Sequence, residues 1–96
     1  MLIFAHRGAS ADAPENTLLA IEQALIQQAD GIEIDVYQLG NELVVIHDRW
    51  VSRTTNGTRL LNDYSLEELQ TLDAGKGQFV PTLWQVLQCV QGLCLI

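Results

Sequence analysis

The stretch Gly31-Ile32-Glu33-Ile34-Asp35-Val36 decides how the rest of this chain is organised. Read as a strand, it alternates, so that Glu33 and Asp35 fall on one face and the three apolar side chains on the other. Two carboxylates on one face of a strand repel each other, which predicts a positive group between them. A hard divalent cation such as Mg2+ or Ca2+, which binds oxygen ligands, suits this position. The alternative is an edge strand whose acidic face is solvated.

The composition describes a small acidic chain. Its 96 residues carry 12 acids against 5 bases, a net charge of -7, and 48% are hydrophobic. We expect one domain with an adequate core. Nucleic acid is excluded as a partner, because binding the phosphate backbone needs clustered Lys and Arg.

The N-terminal residues, the lengths of the apolar runs and the cysteines bear on the cellular location of the protein. The apolar start, residues 1–5, is short and lacks the basic leader of a signal peptide. No apolar run approaches the ~20 residues that span a bilayer. We therefore expect a cytoplasmic protein without a membrane span, with Cys89 and Cys94 as reduced thiols in apolar surroundings.

The pattern before the central stretch predicts a strand and a helix. Residues 2–5 are a continuous apolar run, typical of a strand buried on both faces. Pro14 stands where a helix begins, and helical spacing of apolar residues runs over 15–28. Glu15 in the first turn suits the helix dipole.

The central stretch predicts one strand over 31–39, followed by a second over 43–47. The connection is too short for a parallel crossover, so the pair should form an antiparallel hairpin. His47 then shares a face with Glu33 and Asp35 only if the loop has an odd length. We therefore expect a three-residue loop, 40–42, with a bulge.

Two capping boxes predict the remaining helices. Ser65 with Glu68 opens a short helix to about Leu72, and Thr82 with Gln85 opens one over 82–91. Gly92 is a plausible helix stop, and residues 93–96 resemble a buried strand. The alternation of strands and helices predicts an α/β fold with parallel main strands. Because an α/β barrel needs about 250 residues, residues 1–96 are interpreted as the N-terminal portion of a TIM-type (β/α) barrel, incomplete in this chain.

Polar residues gather at the carboxyl ends of the predicted strands, the face where such sheets bind ligands. They are His6, Arg7, Glu33, Asp35 and His47. Two histidines suit general acid and base roles, two carboxylates suit a divalent metal, and an arginine suits a phosphate. The set favours hydrolysis of a phosphodiester.

Each of these residues also has a plain structural alternative. Either histidine could be a hydrogen-bonded structural group. Arg7 could be a surface charge or the salt-bridge partner of Glu15. Asp48 could cap the turn after His47 and orient its ring.

Several segments resemble the successive signatures of the glycerophosphodiester phosphodiesterase family, in order and with the family's spacing. They are His6-Arg7-Gly8, Pro14-Glu15-Asn16-Thr17, Glu33-x-Asp35, His47-Asp48, Arg53-Thr54-Thr55-Asn56-Gly57, Leu72-Asp73-Ala74-Gly75 and Pro81-Thr82-Leu83. The resemblance implies a barrel enzyme that hydrolyses glycerophosphodiesters to an alcohol and glycerol 3-phosphate, with a divalent metal, Mg2+ or Ca2+.

The resemblance also implies a role for each site residue. His6 and His47 would be the acid/base pair, and Arg7 would contact the phosphate. Glu33 and Asp35 would bind the metal. Supporting residues would be Glu15, Asn16 and Asp48.

The chain departs from the family pattern at its end. Family members supply a third carboxylate, and commonly a lysine, on the strand that here begins at Leu93 and stops at Ile96. We therefore expect little or no activity from these residues alone. Two alternatives stay open: a non-catalytic module that oligomerises through open strand edges, and a related phospholipase D-like enzyme or phospholipid lyase.

Overall fold

The computed structural model describes residues 2–90 and 94–95, in which a strand and a helix are followed by three strands, a run of short helices and a last strand. Within this part of the chain, five strands form two sheets: β1 (Phe4–His6), β2 (Gly31–Glu33), β3 (Val36–Leu39), β4 (Glu42–Val45) and β5 (Cys94–Leu95). The α-helices are α1 (Leu18–Ile26), α2 (Leu66–Leu69) and α3 (Leu83–Cys89), and two 3-10 helices cover Val51–Arg53 and Leu61–Asp63. Strands β1, β2 and β5 are parallel, in the order β1-β2-β5. The predicted α/β fold with parallel main strands is confirmed.

The predicted single strand over 31–39 is wrong, because the chain changes partners at Ile34 and Asp35. Up to Glu33 it pairs with β1, and the Glu33 carbonyl oxygen accepts a hydrogen bond from the Arg7 N–H at 2.6 Å. From Val36 onward it pairs with β4 in a separate antiparallel sheet. Ile32 is fully buried as expected, but Val36 is 44% exposed, so the alternation does not continue across the break.

The turn of the hairpin contains two residues, not the three that we expected. Leu39 pairs with Glu42 and Val36 with Val45, so only Gly40 and Asn41 lie between the strands. Gly40 has φ 60°, which a type II′ turn requires at its first central position. Since glycine reaches this conformation without steric cost, the shorter turn is favoured over a bulged one.

The first strand is not buried on both faces, contrary to the prediction. Leu2 is 74% exposed, Ile3 63% and Phe4 44%. Strand β1 lies at the edge of the described three-stranded sheet and pairs only with β2 there. In a closed barrel each strand has two neighbours, and one side of β1 has no strand partner among the described residues.

Helix α1 begins three residues later than the predicted start at Glu15. Thr17 is its N-cap, and the Thr17 side chain accepts a hydrogen bond from the Ala20 N–H at 3.2 Å. Asn16 has φ 58°, a left-handed conformation that cannot continue a right-handed helix. Glu15 therefore lies outside the helix, and the first turn holds no acidic residue.

Both predicted capping boxes are confirmed. The Ser65 hydroxyl accepts from the Glu68 N–H at 3.1 Å, and the Thr82 hydroxyl accepts from the Gln85 N–H at 3.1 Å. Helix α2 ends at Leu69, short of the predicted Leu72. The predicted stop at Gly92 lies outside the described residues. The strand expected over 93–96 is described as Cys94–Leu95 and pairs in parallel with β2.

Two apolar clusters hold these elements in place. One joins the hairpin to the segment after it, through Leu39, Val44, Ile46, Val51, Leu61, Tyr64, Leu69, Ala74 and Val80. The other packs α1 and α3 against the strands, with Ile21, Ile32, Val45 and Val86 fully or almost fully buried. Cys89 borders this second cluster, and burial raises the pKa of its thiol. The expected reduced state of the two cysteines stays a prediction. The side chain of Cys94 lies outside the described part.

Candidate active site

His6 and Glu33 end two neighbouring parallel strands and meet there. They are paired in the β1–β2 register, so their side chains point to the same face. His6 Nε2 lies 3.1 Å from Glu33 Oε1, and the two side chains are 59% and 46% exposed. An imidazole and a carboxylate of the predicted site are thus in contact at the carboxyl end of the sheet.

Asp35 is approached by two residues from other segments. The Asn16 side-chain amide donates to Asp35 Oδ2 at 3.1 Å, and Arg7 Nε lies 3.1 Å from the same oxygen. The Arg7 contact is a close ion pair without hydrogen-bond alignment. Asn16 is 3% exposed, and its Oδ1 is buried without a hydrogen-bond partner in the structure. The site therefore contains a buried oxygen acceptor beside an acidic side chain.

Arg7 also contacts Glu15, which was one of the alternatives that its sequence position left open. Its Nη1 lies 3.3 Å from Glu15 Oε2 and 3.4 Å from Oε1. The Arg7 side chain is 20% exposed and the Glu15 side chain 18%. Arg7 is thus held between Glu15 and Asp35, the second of which is a carboxylate of the predicted metal site.

Arg53 is a member of the cluster to which sequence reasoning assigned no role. Its Nη2 and Nη1 donate to the two Glu15 carboxylate oxygens at 2.7 and 3.0 Å, a bidentate fork. Its Nε donates to Asp48 Oδ2. Arg53 is part of the Arg53–Gly57 segment that carried the family resemblance, and this was the only signal that could have identified it. A contact between residues 38 positions apart has no local pattern in the sequence.

His47 joins the cluster through Asp48. Its Nδ1 lies 2.7 Å from Asp48 Oδ1, so Asp48 orients the ring as one alternative proposed. Simple alternation through a two-residue turn would direct His47 away from the carboxylates, but residues 34–35 and 46–47 lie outside the strands. A continuous series of polar contacts links His47 to Asp35, through Asp48, Arg53, Glu15 and Arg7.

The arginines set the charge state of this cluster. Hydrogen bonds from Arg53 hold the pKa of Glu15 below its usual value, and the charges of Arg53 and Arg7 act in the same direction. The pKa of Asp48 is likewise lowered, chiefly by its hydrogen bond from Arg53 and then by that from His47. Both carboxylates therefore stay ionised near neutral pH, while the pKa of Arg53 is raised by the same two partners.

In the described part of the chain, side-chain contacts place the predicted site residues in two groups: His6 with Glu33, and Arg7, Glu15, Asn16, Asp35, His47 and Asp48 connected through Arg53. No three His, Cys, Asp or Glu side chains within this part are grouped so as to hold a metal ion. Glu33 and Asp35 are the two predicted carboxylate ligands.

Among the helices described, none has the length and apolar character to cross a membrane.

Comparison with known proteins identifies the class to which this fold and site belong. The model of the glycerophosphoryl diester phosphodiesterase family matches residues 6–94. A glycerophosphodiester phosphodiesterase of Caldanaerobacter subterraneus is 47% identical over 93% of this chain, and a putative one of Bacillus subtilis is 50% identical over 92%. The chain spans about 40% of the length of both relatives.

Solved structures agree with these sequence relatives. The glycerophosphodiester phosphodiesterase of Agrobacterium tumefaciens superposes with a TM-score of 0.92 at 43% identity, covering 99% of this chain and 45% of that one. A phosphodiesterase of Oleispira antarctica, in complex with the product sn-glycerol-3-phosphate, superposes with a TM-score of 0.91 at 37% identity, covering 99% of this chain and 43% of that one. The chain belongs to the glycerophosphoryl diester phosphodiesterase family, and its fold corresponds to the N-terminal portion of a TIM-type barrel.

Proposed function

We propose that this chain supplies the acid/base and phosphate-binding half of a site that hydrolyses glycerophosphodiesters to an alcohol and glycerol 3-phosphate. One observation carries the proposal: the His6–Glu33 contact places an imidazole beside one carboxylate at the carboxyl end of β2, and the Arg7–Asp35 contact places a guanidinium beside the other, two residues further on. Imidazoles transfer protons near neutral pH, and a guanidinium binds phosphate oxygens. The family membership supports the same chemistry.

The donor set around Asp35 fits a divalent cation. Asn16 and Arg7 both contact Asp35 through Oδ2, which leaves Oδ1 for a cation. The buried, unpartnered Oδ1 of Asn16 is a further hard oxygen beside it, and Glu33 adds a partly exposed carboxylate. Such oxygens are the ligands that Mg2+ and Ca2+ prefer. A bound cation would offset negative charge on the phosphoryl oxygens.

The contacts of Arg7 suit a phosphate-binding role. Its Nε faces Asp35 and its Nη1 faces Glu15, so both partners fix the plane of the guanidinium. The remaining Nη2 is left to donate to a phosphate oxygen. A guanidinium held in place by two carboxylates loses little conformational freedom on binding substrate.

His6 and His47 are proposed as the proton-transfer pair. Each imidazole contacts a carboxylate through a different ring nitrogen, Nε2 for His6 toward Glu33 and Nδ1 for His47 toward Asp48. In the overall reaction one ring would accept a proton from the attacking water, whose oxygen bonds to phosphorus, and the other would give a proton to the alcohol oxygen as its P–O bond breaks.

The proposed site is incomplete within these residues. The family resemblance implies a third carboxylate and a lysine beyond Ile96, and no third acidic ligand is grouped with Glu33 and Asp35 in the described part. We therefore propose that the 96 residues alone hydrolyse glycerophosphodiesters weakly or not at all. The expected cytoplasmic location stays a prediction.

The test is an assay of glycerophosphocholine hydrolysis with added Mg2+ or Ca2+, using the protein at its full natural length. His6→Ala and His47→Ala should each lower kcat by about 10²- to 10⁴-fold. Arg59→Met, which removes an arginine that stacks on Tyr64 away from the site, is the matched control. Unchanged turnover in both histidine variants would refute the acid/base roles. Comparison of products from glycerophosphocholine and a lysophospholipid separates this activity from a phospholipase D-like or lyase reaction.

A non-catalytic oligomerising module is a second candidate, favoured by the exposed first strand. Leu2 and Ile3 expose most of their surface just before β1, and Phe4 is 44% exposed in β1, an edge strand of the described sheet. Such edges pair readily with another chain. Light scattering of the 96-residue chain should then give a dimer or larger species, and a concentration-independent monomer would rule this candidate out.

A further inference from the structure

We propose that Arg53 is a positioning residue for His47: through Asp48 it fixes which ring nitrogen carries the proton, and through Glu15 it connects that imidazole to Arg7. The inference rests on the proposed function, in which His47 transfers a proton. It adds a residue that the sequence pattern did not assign to the site.

The geometry of Arg53 carries this inference. All three nitrogens of its guanidinium donate, Nη1 and Nη2 to the two oxygens of Glu15 and Nε to Asp48 Oδ2. The donors of a guanidinium are fixed in one plane. Holding Glu15 by the fork therefore also fixes the direction of Nε, and with it the carboxylate of Asp48.

The second oxygen of Asp48 then determines the tautomer of His47. Asp48 Oδ1 lies 2.7 Å from His47 Nδ1, and an ionised carboxylate can only accept a hydrogen bond. His47 Nδ1 must therefore carry a proton, which leaves Nε2 as the free, basic nitrogen of the neutral ring. Arg53 supports this arrangement because its hydrogen bond favours the ionised form of Asp48, in the direction that the lowered pKa of that carboxyl indicates.

The fork to Glu15 connects Arg53 with Arg7, the residue proposed to bind phosphate. Glu15 is shared by Arg53 and Arg7, whose shortest contacts with it are 2.7 and 3.3 Å. Isolated surface ion pairs contribute little, but a bidentate pair within a network is geometrically specific. Since Glu15 is the less exposed partner, at 18%, it anchors the more exposed Arg53, at 46%.

The tautomer can be measured without any catalytic activity. The chain has only two histidines, so long-range 1H–15N spectra resolve both rings. We expect His47 to be mainly protonated on Nδ1 when neutral, and His6, which contacts Glu33 through Nε2, to show the opposite form. In Arg53→Met, Asp48 is free to rotate into solvent, and the Nδ1–H fraction of His47 should fall from the major to the minor form. The His6 signals should not change.

Two further variants separate positioning from folding and from charge. Arg53→Lys keeps the charge but lacks the fork, because an ammonium cannot hold Glu15 and Asp48 in a fixed plane. The Nδ1–H fraction of His47 in this variant should therefore lie between those of the wild type and Arg53→Met. Arg59→Met removes an equal charge at Tyr64 and should leave the His47 spectrum unchanged. Backbone 1H–15N spectra establish that each variant is folded.

Activity of the full-length protein provides an independent measurement. Arg53→Met should lower kcat by about 10- to 100-fold with a smaller change in KM, as loss of an orienting partner does. If the protein proves inactive on glycerophosphodiesters while the tautomer responds as expected, only the proposed function fails. A folded Arg53→Met variant in which His47 keeps the wild-type tautomer would overturn the positioning role, whatever its activity.

Discussion

The backbone N–H of Asn16 donates to the carbonyl oxygen of Arg7 at 2.9 Å, and both residues adopt left-handed backbone conformations, with φ 58° and 56°. This bond joins the loop after β1 to the segment before α1. It directs both side chains at the same oxygen of Asp35. Non-glycine residues in this conformation concentrate at functional sites because the surrounding structure must hold them there.

Replacing Asn16 should reveal this strain. Both Asn16→Gly and Asn16→Ala lose the hydrogen bond to Asp35, but only alanine is disfavoured at positive φ. We therefore expect Asn16→Ala to be less stable than Asn16→Gly by about 1 kcal/mol. Urea unfolding measures the difference, and equal stabilities would contradict the left-handed conformation.

Divalent cations should stabilise the protein through Asp35 and Glu33. A ligand that binds only the folded state raises the free energy of unfolding, and with it the melting temperature, with the logarithm of the ligand concentration above Kd. We expect Mg2+ or Ca2+ at millimolar concentration to raise Tm, and Asp35→Asn or Glu33→Gln to reduce that increase. Asp63→Asn, at an exposed position in the second 3-10 helix, is the control and should keep it. An equal rise in Tm for all variants would show that the cations bind elsewhere.

Stability should decrease as acid protonates Glu15 and Asp48. Both have folded pKa values below their ordinary values of 4.5 and 3.8, so each contributes stability that is present above those values. It is lost as the pH falls through the lowered pKa. Glu15→Gln should cost about 1 kcal/mol at pH 7 and flatten this acid dependence. Urea unfolding between pH 7 and acid pH measures both effects, and an unchanged pH slope in the variant would argue against the Glu15 ion pairs.

The N-cap of α3 should contribute measurably to stability. Thr82 accepts from the Gln85 N–H, and Gln85 Oε1 accepts from the Thr82 N–H at 2.9 Å. Thr82→Ala should lower the free energy of unfolding by about 1 kcal/mol, because a helix N–H loses its partner. Thr82→Ser keeps the hydroxyl and should lose less than half of that in the same unfolding measurement. A serine variant as unstable as the alanine variant would assign the effect to the lost methyl group.

Gly8 should tolerate no side chain, unlike Gly40. A Cβ on Gly8 would lie 2.8 Å from the Ala20 backbone in α1, and Gly8 has φ 78°. Gly40 has φ 60° but nothing within 4 Å of a Cβ. Gly40→Ala should therefore cost about 1 kcal/mol from backbone conformation alone. Gly8→Ala should cost at least about 2 kcal/mol more, because a backbone cannot yield as a side chain does. Thermal unfolding compares the two, and similar losses would contradict the close approach of Gly8 to α1.

Features that depend on neighbouring residues were predicted well. Both capping boxes are present, and the helices start where Ser65 and Thr82 indicate. The parallel pairing of β1, β2 and β5 was also predicted, from the alternation of strand and helix patterns. The contact between His47 and Asp48 joins adjacent residues, so it too was among the alternatives that the sequence offered.

Features that depend on which partner a segment meets were predicted less well. The strand over 31–39 was expected to be continuous, but its two parts hydrogen-bond to different sheets. The hairpin loop was assigned an odd length so that His47 could reach the carboxylates. The structure has a two-residue turn, and polar contacts that leave the sheet link His47 to Asp35 instead.

The sequence by itself predicted the family, the α/β fold with parallel main strands and the residue types of the candidate site. Only the tertiary structure decided that Arg53 connects Asp48 to Glu15 across 38 positions, and that Asn16 and Arg7 converge on Asp35. The physical reason is the separation along the sequence of the residues that interact. Capping and alternation follow from bonds within a few residues, whereas a guanidinium fork between distant loops exists only after the core has fixed where those loops lie.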